Sequence, residues 1–165
     1  MFYRSSLGLI KINISNGFIN EVSFIKNGKE PELSTDTNKL HAAESKIFQK
    51  CTRQLDEYFS GKRKIFDLPI YQEGTDFQQN VWKELIQIPY GKTITYLQLA
   101  QRIGNVKAIR AAAAAKGRNL LWIIVPCHRV IGSNGSLTGY AGGLPMKKWL
   151  LEHENKYANG VSLLF

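Results

Sequence analysis

Apolar and polar residues alternate over residues 1–30: Leu7 and Leu9, then Ile10, Ile12 and Ile14, then Phe18, Val22 and Phe24. A period of two is the signature of strands with one buried face. Asn16-Gly17 interrupts the run, and both residues tolerate the positive φ of a tight hairpin turn. The pattern predicts a small β-meander or hairpin. Residues 30–39, with Pro31, Ser34, Thr35 and Asp36, read as a loop. From residue 41 to residue 59 the period changes. Ala43, Ile47, Cys51, Leu55, Tyr58 and Phe59 recur at helical spacing, and Gly61 ends the helix. Cys51 lies on that stripe and reads as core. Lys62-Arg63-Lys64 reads as a solvated loop, residues 65–70 as a further strand, and residues 72–74 as a joint between two parts.

Beyond the joint, helix signals dominate. Thr75 stands three residues before Gln78, and Thr95 three before Gln98. In each pair the two side chains can satisfy one another's backbone N–H, the capping-box pattern. Helices are expected from there to about Gln87 and to Ile103, with Pro89-Tyr90-Gly91 between them. Gly104 turns the chain, Asn105 can cap, and another helix is expected over residues 106–115 with Gly117 beyond its end. Two short helices joined so tightly form a helix-turn-helix pattern. Gly132-Ser133-Asn134-Gly135 is a turn. Gly139-Tyr140-Ala141-Gly142-Gly143 is a flexible loop carrying an aromatic. Pro145 suits the first turn of a last helix running to Glu154. A carboxylate in a last turn opposes the helix dipole, so Glu154 needs a partner.

Composition adds bounds. A chain of 165 residues makes one domain or two small ones with a real core. No apolar run nears the roughly 20 residues that span a bilayer. Met1-Phe2-Tyr3-Arg4 lacks the basic head and apolar block of a secretion signal, so a cytoplasmic location is expected, beside the nucleoid or in a nucleus. Cys51 and Cys127 make neither a disulfide framework nor a paired-cysteine metal site. One bond between them stays open, with free thiols the expected state.

Charge is more telling. The net charge is +9, and residues 76–165 carry 11 Lys+Arg against 4 Asp+Glu. Between Glu84 and Glu152 there is no carboxylate, while Lys92, Arg102, Lys107, Arg110, Lys116, Arg118, Arg129, Lys147 and Lys148 all fall there. A solvated face mixes both signs, so this zone reads as a field for a polyanion. The helix-turn-helix lies inside it. Its second helix holds Ala111 to Ala115 in succession and offers mainly Arg110, with Lys107 nearer its start, as a reader of bases. Small side chains suit close approach to DNA, as in a narrow minor groove, and also suit helix packing.

Chemistry concentrates in Pro126-Cys127-His128-Arg129-Val130. A thiol attacks as its thiolate, and His128 and Arg129 stand beside it in sequence to favour that form. From these residues alone, a sequence-specific regulator and a Cys-His hydrolase also stay open.

That pentapeptide, Asn119 eight residues before the cysteine, Tyr140 in its glycine loop and Leu150-Leu151-Glu152-His153-Glu154 together resemble the O6-alkylguanine-DNA alkyltransferases. Phe77-Gln78-Gln79, Tyr90-Gly91-Lys92 and Thr95-Tyr96 extend the resemblance over residues 74–154; residues 1–73 match only in outline. The resemblance implies an α+β fold. A small N-terminal α/β, ribonuclease H-like domain over 1–73, with antiparallel sheet and helix, would precede a mainly helical domain over 74–165 with a winged helix-turn-helix-like motif. It implies irreversible, single-turnover transfer of an alkyl group from O6 of guanine, and from O4 of thymine, onto the protein's own cysteine. No cofactor is implied. The chain lacks the cysteine and histidine set of zinc-binding relatives, so no metal is expected. The implied partner is double-stranded DNA with an alkylated guanine, met by a monomer through the minor groove with the nucleotide flipped out, and no membrane is involved.

Residue roles follow by match. Cys127 would be the nucleophile, His128 its base through a bridging water, and Glu154 the residue that orients the imidazole. Asn119 resembles the hinge asparagine that ties the turn before the cysteine. Tyr96 is similar to the tyrosine that crowds the phosphate and donates to N3 of guanine. Arg110 resembles the finger that fills the vacated stack. Thr95, Tyr96, Lys107, Ala111, Ala114, Arg118 and Arg129 would complete the DNA face. Val130, Tyr140, Ala141 and Tyr96 would form the pocket, with the Cys127 and Val130 carbonyls accepting from the guanine amino group. The chain departs from many relatives at Ala141, where serine is common, and at Ala113-Ala114, where glycines are common. Trp122 lies where proline or small residues are frequent; it either narrows the site or fills core.

Overall fold

A computed structural model describes residues 1–25 and 42–160, and the chain divides into two units, Met1–Gln72 and Glu73–Phe165. The expected loop at 30–39 and His41 lie outside the described residues. In the first unit β1 (Phe2–Ser5), β2 (Gly8–Ser15) and β3 (Phe18–Phe24) form an antiparallel sheet in the order β1-β2-β3. Asn16 and Gly17 carry φ of 52° and 78°, the two positive values of a type I′ turn. The register shifts between Asn13 and Ile14. A one-residue slip exchanges the faces of a strand. That is why Ile19 is fully buried while Phe18, on the expected apolar pattern, is 45 % exposed.

Helix α1 (Ala42–Phe59) buries Cys51, Leu55 and Tyr58 with Ile10, Ile12, Ile19 and Val22 as the core of this unit. Burial pushes the Cys51 thiol up to about 12, so it is a core filler and not a nucleophile. The strand expected at 65–70 does not form; it reduces to one bridge between Ile19 and Ile70. The reason is competition. The Gln54 side chain accepts from Asp67 N and donates to Asp67 O, both at 2.9 Å, taking both ladder groups of that residue. Pro69 has no N–H to give.

The second unit is mainly helical. Helix α2 (Asp76–Ile86) and α3 (Tyr96–Arg102) begin at Thr75 and Thr95, and both capping boxes are present. Gly104 and Asn105 turn the chain into one 3-10 turn, Val106–Ala108, and then α4 (Ile109–Gly117). Gly117 therefore closes this helix from inside, and Arg118 caps it. Ala112 and Ala115 are buried, and the Trp82 indole of α2 donates to Ala115 O at 2.9 Å. Ala111 and Ala114 face outward. The alanine run thus serves packing on one flank and leaves a low surface on the other.

Short strands β4 (Ile94–Thr95) and β5 (Val130–Ile131) pair in parallel. Helix α5 spans Leu144–Asn159, with Pro145 in its first turn. It continues five residues past Glu154, so that carboxylate sits inside the helix and not against its C-terminal dipole. Gly91, at φ 71°, is required by close approach: a Cβ there would meet the Ala158 Cβ at 2.4 Å. Among the described residues no helix is long and apolar enough to cross a membrane.

Candidate active site

The segment between α4 and β5 is held by its own polar groups. Asn119 is buried; its Oδ1 accepts from Leu121 N at 3.0 Å and its Nδ2 donates to Val125 O at 3.0 Å. The same Nδ2 donates to Cys127 Sγ at 3.3 Å. Trp122 donates from Nε1 to Asn119 O at 3.1 Å, and its ring lies 5.8 Å from that of Tyr140. It fills core behind the Tyr140 wall. Ile123 is buried at φ 72°, a strained setting for a β-branched side chain. Pro126, at φ −80° and ψ 62°, forms an inverse γ-turn closed by Cys127 N donating to Val125 O at 2.8 Å. The turn delivers Cys127 into a one-turn 3-10 helix, Cys127–Arg129.

Cys127 is nearly inaccessible, yet it lines a cavity of about 250 Å³ with Tyr96, Ala113, Lys116, Gly117, Asn119, Gly139, Tyr140 and Ala141. That is below the roughly 300–1,000 Å³ of drug-sized pockets, a scale suited to one heterocycle. Burial raises the Cys127 thiol; the Asn119 hydrogen bond and the charges of Lys116 and Lys147 oppose it. The hydroxyl of Tyr140 is buried without a partner among the described residues, and burial raises it well above its usual value.

Behind the cysteine stands a closed ion cluster. His128 Nε2 lies 2.7 Å from Glu154 Oε1. Arg129 donates from Nε to Glu154 Oε2 at 2.8 Å, from Nη2 to Oε1 at 3.0 Å, and from Nη1 to Ile88 O at 2.5 Å. Gly91 N adds a bond to Glu154 Oε2 at 3.2 Å, which the loop at 89–91 reaches only because Gly91 can approach α5. Burial alone would raise Glu154, but His128 and then Arg129 outweigh it and hold the carboxyl well below its usual range. The guanidinium is charged at every relevant pH, so Glu154 is ionised. An ionised carboxylate only accepts, so the ring proton sits on Nε2 and the lone pair on Nδ1. Nδ1 is buried with no protein partner among the described residues. Burial lowers His128, with Glu154 opposing, so the imidazole is neutral at rest.

The structure corrects three sequence expectations here. Arg129 does not belong to a DNA face: it is 6 % exposed and its guanidinium is consumed by Glu154 and Ile88. Val130 does not line the cavity. Its side chain is core, and its carbonyl accepts from Lys147 Nζ at 2.5 Å. The positive zone is also smaller than its sequence suggests, because Lys116, Arg129 and Lys147 are buried; Lys92, Arg102, Lys107, Arg110, Arg118 and Lys148 remain exposed. Arg110, Ala111, Ala114 and Arg118 share the outer side of α4, with Lys107 just before it. Thr95 is half-buried at the start of α3. His153 is buried and stacks on Trp149, ring centroids 4.7 Å apart. Lys116 went unnoticed among the surface cations. Its position four residues after Ala112 already placed it on the buried flank of the helix.

Residues 1–72 match the family described as 6-O-methylguanine DNA methyltransferase, ribonuclease-like domain, and residues 76–156 match the DNA binding domain of the same name. A methylated-DNA–protein-cysteine methyltransferase of Methanosarcina barkeri is 46 % identical over 159 residues, covering 93 % of this chain and 97 % of that one. The Mycobacterium tuberculosis protein of the same name is 43 % identical, covering 87 % of each chain. A crystal structure of Mycobacterium tuberculosis OGT in complex with DNA superposes with a TM-score of 0.81 at 38 % identity, over 95 % of this chain and 92 % of that one.

Proposed function

The chain belongs to the 6-O-methylguanine DNA methyltransferase family, and from that premise we propose how its own residues carry the reaction. The activity is DNA repair by methylated-DNA–protein-cysteine methyl transfer, in which an alkyl group leaves O6 of guanine for a cysteine of the protein. We assign that cysteine as Cys127. The observation that carries the assignment is the place of Cys127 on the wall of a nucleobase-sized cavity, next in sequence to the His128 of an ordered His–Glu–Arg cluster.

His128 is the base. Its Nδ1 lone pair takes the thiol proton through one intervening water, and ionised Glu154 stabilises the imidazolium that forms. Arg129 keeps Glu154 ionised and in place. Asn119 holds the loop and donates to the sulfur, which favours the thiolate. The thiolate attacks the alkyl carbon in line as the C–O6 bond breaks. Tyr96 donates to N3 of the departing guanine, while Tyr140 and Ala141 form the pocket. O4-alkylated thymine enters the same pocket. The thioether resists hydrolysis, so each molecule reacts once.

DNA is engaged through the outer side of α4. Ala111 and Ala114 let the helix backbone close on the minor groove, Arg110 occupies the stack after the nucleotide flips, and Lys107 and Arg118 meet phosphates. Extrusion costs a few kcal/mol, less at a damaged pair. Residues 74–165 form the alkyltransferase domain and 1–73 a supporting one. The protein works as a cytoplasmic monomer beside its DNA, without cofactor or metal.

Incubation with a duplex containing O6-methylguanine, followed by mass measurement of the Cys127 peptide, tests the reading. A one-methyl increment is expected, absent in Cys127→Ser, which still binds the duplex. An unmodified Cys127 with the DNA still methylated would refute it.

A further inference from the structure

Lys116 is a cation where stability alone gives no reason for one. It is 4 % exposed, sits in the last turn of α4 and lines the cavity shared with Cys127. Among the described residues no carboxylate pairs with it. Its ammonium donates instead to the Tyr96 hydroxyl oxygen at 2.9 Å and to the Gly139 carbonyl. Burying an ammonium without a counter-charge is unfavourable, and an apolar chain of like length would fill the same space. The Tyr96 hydroxyl in turn donates to Thr138 O at 3.2 Å, a long bond that an incoming acceptor can displace.

We propose that Lys116 is a positioning residue for alkyl transfer, its ammonium occupying a lone pair of the Tyr96 hydroxyl so that the O–H is aimed at the extruded base and made a stronger donor. The inference rests on the assignment of Tyr96 as the donor to the base. As the S–C bond forms and the C–O6 bond breaks, the electron pair ends on the purine, which takes the Tyr96 proton at N3. The phenolate is met by Lys116 and is reprotonated from solvent water after the base departs. Charge-assisted hydrogen bonds are roughly twice as strong as neutral ones, so the effect is greatest as the phenolate develops. The cluster of Lys116, Tyr96 and Gly139 is separate from the His128–Glu154–Arg129 cluster. One serves the leaving group, the other the nucleophile.

The test is the single-turnover rate on O6-methylguanine duplex for the wild type, Lys116→Met, Lys116→Arg, Tyr96→Phe and the Lys116→Met/Tyr96→Phe double variant. Wild type must first give the methylated Cys127 peptide; failure there sinks the proposed function and leaves this inference without a reaction to describe. With that established, Lys116→Met is expected to slow transfer about tenfold to a hundredfold, the weight of one hydrogen bond to a charged group. Lys116→Arg should recover part of the rate. The double variant should be no slower than the slower single one. Alkylation of Cys127 by iodoacetamide needs no departing base, so Lys116→Met should slow it far less than it slows transfer from DNA. The proposal is overturned by multiplicative losses in the double variant, by a wild-type rate in Lys116→Met, or by equal slowing of both reactions. Circular dichroism checks folding. If Lys116→Met unfolds, Lys116→Gln is read by the same criteria, and unfolding of both assigns Lys116 a structural role only and ends the proposal.

Discussion

Replacing Glu154 by alanine tests the ion cluster most directly. The carboxylate is 0 % exposed and holds four contacts: His128 Nε2, two nitrogens of Arg129 and Gly91 N. Its removal leaves the Arg129 guanidinium buried with Ile88 O and the face of the Tyr90 ring, 5.7 Å from Cζ, as its remaining partners among the described residues. Breaking a buried pair by deleting one member costs about 3–5 kcal/mol, because the survivor is an uncompensated charge. Against a total stability of ~5–15 kcal/mol this is a large fraction. With a urea m-value of ~2 kcal/mol/M, the unfolding midpoint should fall by roughly 2 M. Substituting both Glu154 and Arg129 by leucine should cost less than Glu154→Ala alone, since no charge is then stranded. The pH dependence carries a sign. Glu154 is held below its unfolded value, so its contribution is complete above that value, ~4.3, and is lost as pH falls toward the folded one. Glu154→Ala should lose that acid limb. A loss under about 1 kcal/mol, or a double variant less stable than the single, would refute the reasoning.

Three further outcomes follow. Asn119→Ala should lose about 1–3 kcal/mol, because Leu121 N loses its partner and Val125 O keeps only the bond from Cys127 N, and should slow iodoacetamide at Cys127; thiol reactivity equal to wild type would show that the Nδ2–Sγ bond does not favour the thiolate. Arg110→Ala and Arg118→Ala should each lower the slope of log affinity against log salt by about 1, whereas Arg129→Ala, measured on folded protein, should leave that slope unchanged. Burial, with help from Lys116, pushes Lys147 down to about 7 from 10.5, so between those values the unfolded chain holds a proton the native one has lost. Stability should therefore rise with pH across that window, and Lys147→Met should flatten the rise in urea titrations.

What the sequence determined by itself was short-range. The Asn16-Gly17 turn and the two Thr–Gln capping boxes form because their partners lie within three residues, so a local string contains the whole interaction. The buried stripe of α1 and the cysteine between proline and histidine are local in the same sense. The strand expected at 65–70 failed for the opposite reason: its hydrogen bonds went to Gln54, thirteen residues away, and no local pattern announces that competitor. The run of cations between Glu84 and Glu152 was legible as charge but not as surface. Only the tertiary structure turned Lys116, Arg129 and Lys147 inward and made them ligands of a hydroxyl, a carboxylate and four carbonyls. It also added Arg129 and Gly91 N to the His128 partner that the resemblance implied for Glu154, and extended α5 past that residue. The direction a charged side chain takes depends on which distant groups desolvate it and which pair with it, and that is settled when the elements pack.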